Sequence, residues 1–215
     1  MIVRTIAPLL RSHLPSHTKK VLRRFHERLL SAVGYDQEQW VRIVQRREWH
    51  EFLRKESARH PNVLEISPGD TSPWRAYATG SYTAPGYPQF DVCRDTLPRT
   101  FDIIIAEQVF EHLLAPDAAA RNVRAMMSES GVFLIATPFL LRLHGPPYYG
   151  DFTRWSPEGL KMFLVRNGFS HVVINSWGNR RAVRCNFRDW ASFGWGRDLR
   201  NEPDFPIVVW AYARP

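Results

Sequence analysis

Cysteine is nearly absent from this chain: Cys93 and Cys185 are the only two in 215 residues. Two cannot build a disulfide framework or a cysteine-rich zinc site, so neither secretion nor a metal centre is expected. Long apolar runs are missing as well. The longest, Gly131 to Leu141, is too short to span a bilayer. No N-terminal stretch has the charged, apolar and small-residue order of a signal peptide. The expectation is a cytoplasmic protein without a transmembrane segment. Repeats and low-complexity tracts are lacking too. What remains is 44% hydrophobic and 23% charged residues, an ordinary globular composition for one domain of typical size with an appendage.

The net charge of +8 is unevenly spread. Residues 1–60 hold 13 Lys and Arg against 6 Asp and Glu, whereas residues 61–215 hold 16 against 15. The positive field therefore belongs to an N-terminal arm, and the main domain is close to neutral. A nucleic-acid partner is not expected for that domain. A peripheral contact with an anionic partner stays open for the arm.

The arm reads as helical. Val21, Leu22, Phe25, Leu29, Leu30 and Val33 recur at helical spacing among basic residues, and Gly34 is placed to stop the run. Asp36 is placed to cap a second helix with an inner face of Trp40, Ile43, Val44, Trp49, Phe52 and Leu53, ending before Pro61. These helices either cover the core or form a lid or basic surface. His13 and His17 are separated by Pro15 with no acidic neighbour, and read as solvent histidines. The expected division is an arm over residues 1–60 and a domain over residues 61–215.

From Asn62 onward, short apolar runs alternate with helical stretches, the pattern of a mainly parallel sheet. Strands are expected at Val63 to Ile66, Ser81 to Tyr87, Phe90 to Cys93, Asp102 to Ala106, Val132 to Thr137, Val172 to Ser176 and Ile207 to Ala211. Helices are expected over 116–127 and from Pro157 to Asn167 and Gly168, with a turn at Ser128 to Gly131. The fold class is α/β, Rossmann-like and doubly wound, with an antiparallel last strand.

Ligands of such sheets bind beyond the carboxyl ends of the strands. The run Val63-Leu64-Glu65-Ile66-Ser67-Pro68-Gly69-Asp70 ends the first strand in a carboxylate and a small-residue turn, which places Glu65, Ser67 and Gly69 at that edge. A plain tight turn is the alternative, so the context matters. About forty residues on stands Phe101-Asp102-Ile103-Ile104-Ile105-Ala106-Glu107-Gln108-Val109-Phe110-Glu111-His112-Leu113, then Gly131-Val132-Phe133-Leu134-Ile135-Ala136-Thr137-Pro138-Phe139. Farther on come His144-Gly145-Pro146-Pro147 and Phe152-Thr153-Arg154-Trp155-Ser156-Pro157-Glu158-Gly159-Leu160. In these motifs the chain resembles the class I S-adenosylmethionine-dependent methyltransferases, in particular a small-molecule and glycan branch. The resemblance covers roughly residues 60–215.

That resemblance implies S-adenosylmethionine as cofactor. Glu65 would order its ammonium end, and the Ser67, Pro68 and Gly69 backbone would lie against its amino-acid and ribose portions. Asp91 or Asp95 would supply an adenine-side carboxylate, Cys93 would line the ring, and Glu107 and Gln108 would meet the methionine portion. Glu111 and His112 would hold the loop, His112 bordering the methyl group. The sequence departs from the family at Ser67 and Thr71, where glycine is usual, and near Gly86, where the ribose carboxylate is usual.

His144 follows a strand by a short loop, which puts it at the carboxyl edge as the candidate general base; a structural or substrate-binding histidine is the competing reading. Tyr149, Asp151 and Arg154 share that loop as substrate-binding candidates, with Asp151 and Arg154 equally able to pair with each other. The long stretch from Trp177 to Asp204 carries Trp177, Phe187, Trp190, Phe193 and Trp195 among arginines. It forms either a substrate wall headed by Trp177 or a packed cluster. The expected activity is methylation of an oxygen or nitrogen on a small molecule or saccharide. A nucleic-acid methyltransferase and a fold that has lost catalysis are the alternatives.

Overall fold

The computed structural model describes residues 39–56, 59, 62–69, 72–145, 150–188 and 198–215. The first arm helix, His13, His17, Asp36, Thr71, Tyr149, Trp190, Phe193 and Trp195 lie outside them. Helix α1 (Trp40–Glu56) is the second arm helix, and it buries Trp40, Val41, Ile43, Gln45, Trp49 and Leu53. Its Trp49 and Leu53 pack in one cluster with the sheet residues Val63, Ile103 and Ile105. The described chain from Trp40 onward accordingly forms one compact unit, with the second arm helix inside it.

Six strands follow: β1 (Val63–Glu65), β2 (Tyr82–Thr83), β3 (Phe101–Glu107), β4 (Met127–Pro138), β5 (His171–Trp177) and β6 (Val208–Arg214). They line up in the order β2-β1-β3-β4-β6-β5. β1 runs parallel to β2 and β3, β3 runs parallel to β4, and β6 is antiparallel to both its neighbours. The carboxyl ends of β1, β3 and β4 therefore share one edge. Side chains alternate across the sheet. Ile103, Ile105, Val132 and Leu134 face α1 and α4 (Arg180–Arg188), while Leu64, Ile104, Phe133 and Ile135 face α2 (Pro116–Ala125) and α3 (Pro157–Arg166). Burial on both faces explains why β3 and the core of β4 read as unbroken apolar runs.

The helix starts are chemically specified. Ser156 Oγ accepts a hydrogen bond from Gly159 N at 3.1 Å, and Pro157 occupies the first turn of α3. Asn179 Oδ1 accepts from Ala182 N at 2.8 Å at the start of α4.

Three sequence expectations change. Phe90 to Cys93 is a turn, because Asp95 Oδ2 takes the Asp91 N–H and Asp91 Oδ1 takes the Cys93 N–H, both donors that a ladder would need. The strand expected over Ser81 to Tyr87 shrinks to Tyr82–Thr83, since Pro85 and Pro88 cannot donate to a ladder. Ser128 to Gly131 is a bulge inside β4: Phe101 pairs with Met127 but Ile103 already pairs with Val132. Asp102 pins that bulge, accepting Ser128 Oγ on one oxygen and the Asn62 N and Nδ2 groups on the other.

Gly178 follows β5 where the chain before β6 crosses it. A Cβ there would sit 2.0 Å from Phe205 O and 2.5 Å from Ile207 N. Substituting Gly178→Ala must displace backbone, at a cost of about 1–3 kcal/mol. The expected drop in melting temperature is about 2–12 °C; an unchanged thermal melt would contradict this packing.

Candidate active site

At the shared carboxyl edge the first strand ends in Glu65, which is 3% exposed. A buried carboxylate needs donors, and Glu65 Oε2 has two: Ser72 Oγ at 2.6 Å and the Tyr82 hydroxyl at 2.5 Å. Burial raises the Glu65 pKa, an effect these hydrogen bonds only partly offset. Burial and the bond to Glu65 push the Tyr82 hydroxyl up to about 12. Neither Ser72 nor Tyr82 was legible as a site residue, because their importance comes from facing Glu65 across the turn.

The turn itself is tight without relying on glycine for its backbone angle. Ser67 takes the left-handed conformation, with φ of 50°. Gly69 instead provides room: a Cβ there meets nothing within 4 Å. Pro68 lies between them, half-buried.

β3 ends in Glu107, which accepts Arg46 Nε at 2.7 Å, Arg46 Nη2 at 3.1 Å and Trp74 Nε1 at 3.1 Å, with Arg42 Nη1 at 3.7 Å. Helix α1 thus reaches the edge with Arg42 and Arg46. Next to Glu107, Gln108 has φ of 58° and donates its N–H to Ala136 O. Its side-chain Nε2 is buried with no acceptor among the described residues.

Asp91 and Cys93 share the turn after β2, joined by the Cys93 N to Asp91 Oδ1 bond of 3.0 Å. Arg94 approaches Asp91 at 3.7 Å, and burial raises the Cys93 thiol pKa.

A second group hangs from the turn Phe110–His112. Glu111 O accepts the backbone N–H groups of Phe152 and Thr153, which ties the loop carrying His144 and Asp151 to the end of β3. Asp151 is held by Arg154 through both carboxylate oxygens, with Nη2 to Oδ2 at 2.5 Å and Nη1 to Oδ1. Asp151 Oδ2 also accepts the His144 N–H at 2.8 Å and lies 3.3 Å from His144 Nδ1. Burial opposes the Asp151 charge, but Arg154 and His144 outweigh it and lower the pKa.

Burial lowers the pKa of His144, with Asp151 acting in the opposite direction. His112 donates from Nδ1 to Gly150 O at 2.6 Å, since a carbonyl can only accept; burial lowers its pKa too. Glu111 is fully buried, and burial pushes its carboxyl up to about 8.

Trp177 ends β5 with its side chain turned into the core. Its ring is 2% exposed in the cluster with α1 and α4, and Nε1 donates to Leu199 O at 3.0 Å. Tyr149 lies outside the described residues.

The cofactor implied by the sequence resemblance carries an ammonium, a carboxylate and a sulfonium. Open space at Gly69, carboxylates held at Glu65 and Glu107, and the buried amide donor of Gln108 fit such a zwitterion.

Residues 20–190 match a protein family described as "Methyltransferase domain". No curated protein matches the chain. Among solved structures, the S-adenosylmethionine-dependent methyltransferase SibL in its apo form is 14% identical, with 76% of this chain and 53% of SibL covered at a TM-score of 0.48. This chain spans about half of SibL. The DhpI-SAM-HEP complex is 14% identical over 80% of this chain and 89% of that one, at a TM-score of 0.49. An S-adenosylmethionine-dependent methyltransferase from Mesorhizobium loti is 14% identical over 77% and 96%, at a TM-score of 0.47. Among the described residues no helix is long and apolar enough to cross a membrane. With the family matched over most of its length and a Rossmann-like sheet whose strands β1 and β3 end in Glu65 and Glu107, the chain belongs to the class I S-adenosylmethionine-dependent methyltransferases.

Proposed function

We propose that this methyltransferase acts on a hydroxyl or amine of a small molecule or saccharide, with His144 accepting the proton that the acceptor loses. The observation that carries the proposal is the carboxylate placed beside the histidine: Asp151 Oδ2 lies 3.3 Å from Nδ1, an electrostatic contact, and is itself fixed by Arg154. An ionised carboxylate beside Nδ1 favours the hydrogen there and leaves the lone pair on Nε2. Asp151 and Arg154 are positioning residues in this reading, acting through His144. The near-neutral charge balance of residues 61–215 supports a small acceptor over a nucleic acid.

When bound, S-adenosylmethionine supplies a sulfonium-activated methyl group, so alignment can provide much of the acceleration. His144 Nε2 would take the proton that the acceptor hydroxyl or amine loses on methylation. Glu65 is suited to the ammonium end of the cofactor and Gln108 Nε2 to its carboxylate. Ser67, Pro68 and Gly69 would lie along its ribose side, and Asp91 with Cys93 would face the adenine.

Two measurements test this reading. Substituting Gln108→Ala removes a charge-assisted hydrogen bond, so calorimetry with S-adenosylhomocysteine should show affinity about tenfold or more weaker; equal affinity would remove Gln108 from the cofactor site. For His144→Gln, labelled-methyl transfer to a panel of hydroxylated and amino metabolites and saccharides should fall about a hundredfold or more with cofactor affinity retained. Undiminished turnover would take His144 out of the mechanism.

A further inference from the structure

The residues around His144 hold more than a base requires. Glu111 is fully buried, and no hydrogen bond reaches either of its carboxylate oxygens among the described residues. Two imidazoles face it: His112 Nε2 at 3.7 Å and His144 Nε2 at 3.9 Å from the same oxygen, Oε1. One ligand-type atom from each of the three residues lies within 4.8 Å of the others. These distances are too long for hydrogen bonds. A tetrahedral ion with bonds of about 2.1 Å holds its ligand atoms about 3.4 Å apart, so the two sides that meet at Oε1 close by roughly half an ångström or less, and the third, bounded at 4.8 Å, by at most about 1.4 Å.

The outer partners point the same way. Metal-bound histidines commonly donate their other ring nitrogen to a carbonyl or carboxylate, which fixes the tautomer and aims the lone pair. His112 Nδ1 does so toward Gly150 O at 2.6 Å, and His144 Nδ1 faces Asp151 Oδ2 at 3.3 Å, with Arg154 behind it. The His112 bond leaves its Nε2 lone pair facing Glu111, and the carboxylate beside His144 Nδ1 favours the hydrogen on that nitrogen, with Nε2 3.9 Å from the same Glu111 oxygen. The rings meet edge to face at 77°, an arrangement that lets both nitrogens approach one point.

We propose that Glu111 Oε1, His112 Nε2 and His144 Nε2 form a binding site for one divalent transition-metal ion of the zinc class. Two imidazoles and a carboxylate suit such an ion better than magnesium or calcium, which prefer oxygen ligands throughout. The ion neutralises a buried carboxylate that the described residues leave without a donor. It also ties the turn after β3 to the loop after β4. Its consequence for catalysis rests on the methyl-transfer reading above: the ion uses the His144 lone pair that proton uptake needs, so a bound ion and an active base exclude each other.

The test is a cobalt titration of the full chain after treatment with a chelator, read by the visible absorption of Co2+ in a low-symmetry nitrogen and oxygen site. One equivalent should bind, and Zn2+ should displace it. Glu111→Gln, nearly isosteric, and His112→Gln should each weaken Co2+ binding at least about a hundredfold relative to the native chain, with a cooperative thermal melt confirming that the variant is folded. If either variant does not fold, the other and the native titration decide. Absence of a cobalt spectrum in the native chain, or equal affinity in a folded variant, overturns the site. The readout needs no turnover, so a failed metal site leaves the methyl-transfer reading intact, and loss of that reading leaves the cobalt result standing.

Discussion

The structure turns on how the chain leaves β3. A strand buried on both faces ends at the cofactor edge in a short polar run from Glu107 to His112, and each polar group there must find company or remain costly. Glu107 turns toward helix α1 and is met by Arg46 and Trp74. Gln108 reverses the backbone with a positive φ and leaves its amide nitrogen buried. Glu111 turns the other way and, through its backbone oxygen, docks the loop that carries His144. Cofactor edge, helical cover and acceptor loop are therefore fixed relative to one another by six residues in sequence.

Much of this architecture was legible because burial writes itself into composition. The apolar runs of β3 and β4, the Ser156-Pro157 start of α3 and the inner face of α1 follow from periodicity and capping chemistry. The edge strands were less legible. Around residues 81–95, local bonds from Asp91 and Asp95 compete with ladder bonds, and proline interrupts the run; a propensity reading sees only apolar residues such as Phe90 and Val92, which are buried without being strand. The bulge at Ser128 to Gly131 reads as a turn for a related reason, since its residues are small and polar, and what holds it in the strand is the Ser128 bond to Asp102 across the sheet.

The site divides along the same line. The strand-end residues Glu65, Glu107 and Gln108 could be read from their position after apolar runs. Ser72, Tyr82, Trp74 and Arg46 could not, because their importance lies in a partner that only the fold brings to face them, across a turn for Ser72 and across a 61-residue separation for Arg46 and Glu107. Trp177 shows the converse: an aromatic residue near basic neighbours suggests a substrate wall, yet its ring lies in the core with its indole bonded to Leu199 O. The His144 loop is intermediate. Its residues stood out by type, and the pairing of Asp151 with Arg154 was one of the two readings the sequence allowed; the convergence of Glu111, His112 and His144 emerges only when two loops are brought together.

The central claim is that the ends of β1 and β3 form the seat of the methyl donor, with His144 above it. A crystal structure of the full chain grown with S-adenosylhomocysteine addresses this most directly. The account expects the amino-acid end of the ligand between Gly69 and Gln108, its carboxylate on the Gln108 amide, and its sulfur on the side of the cleft that His144 faces. A hollow filled by the chain's own side chains, or a ligand seated elsewhere with Gln108 still lacking an acceptor, would contradict it.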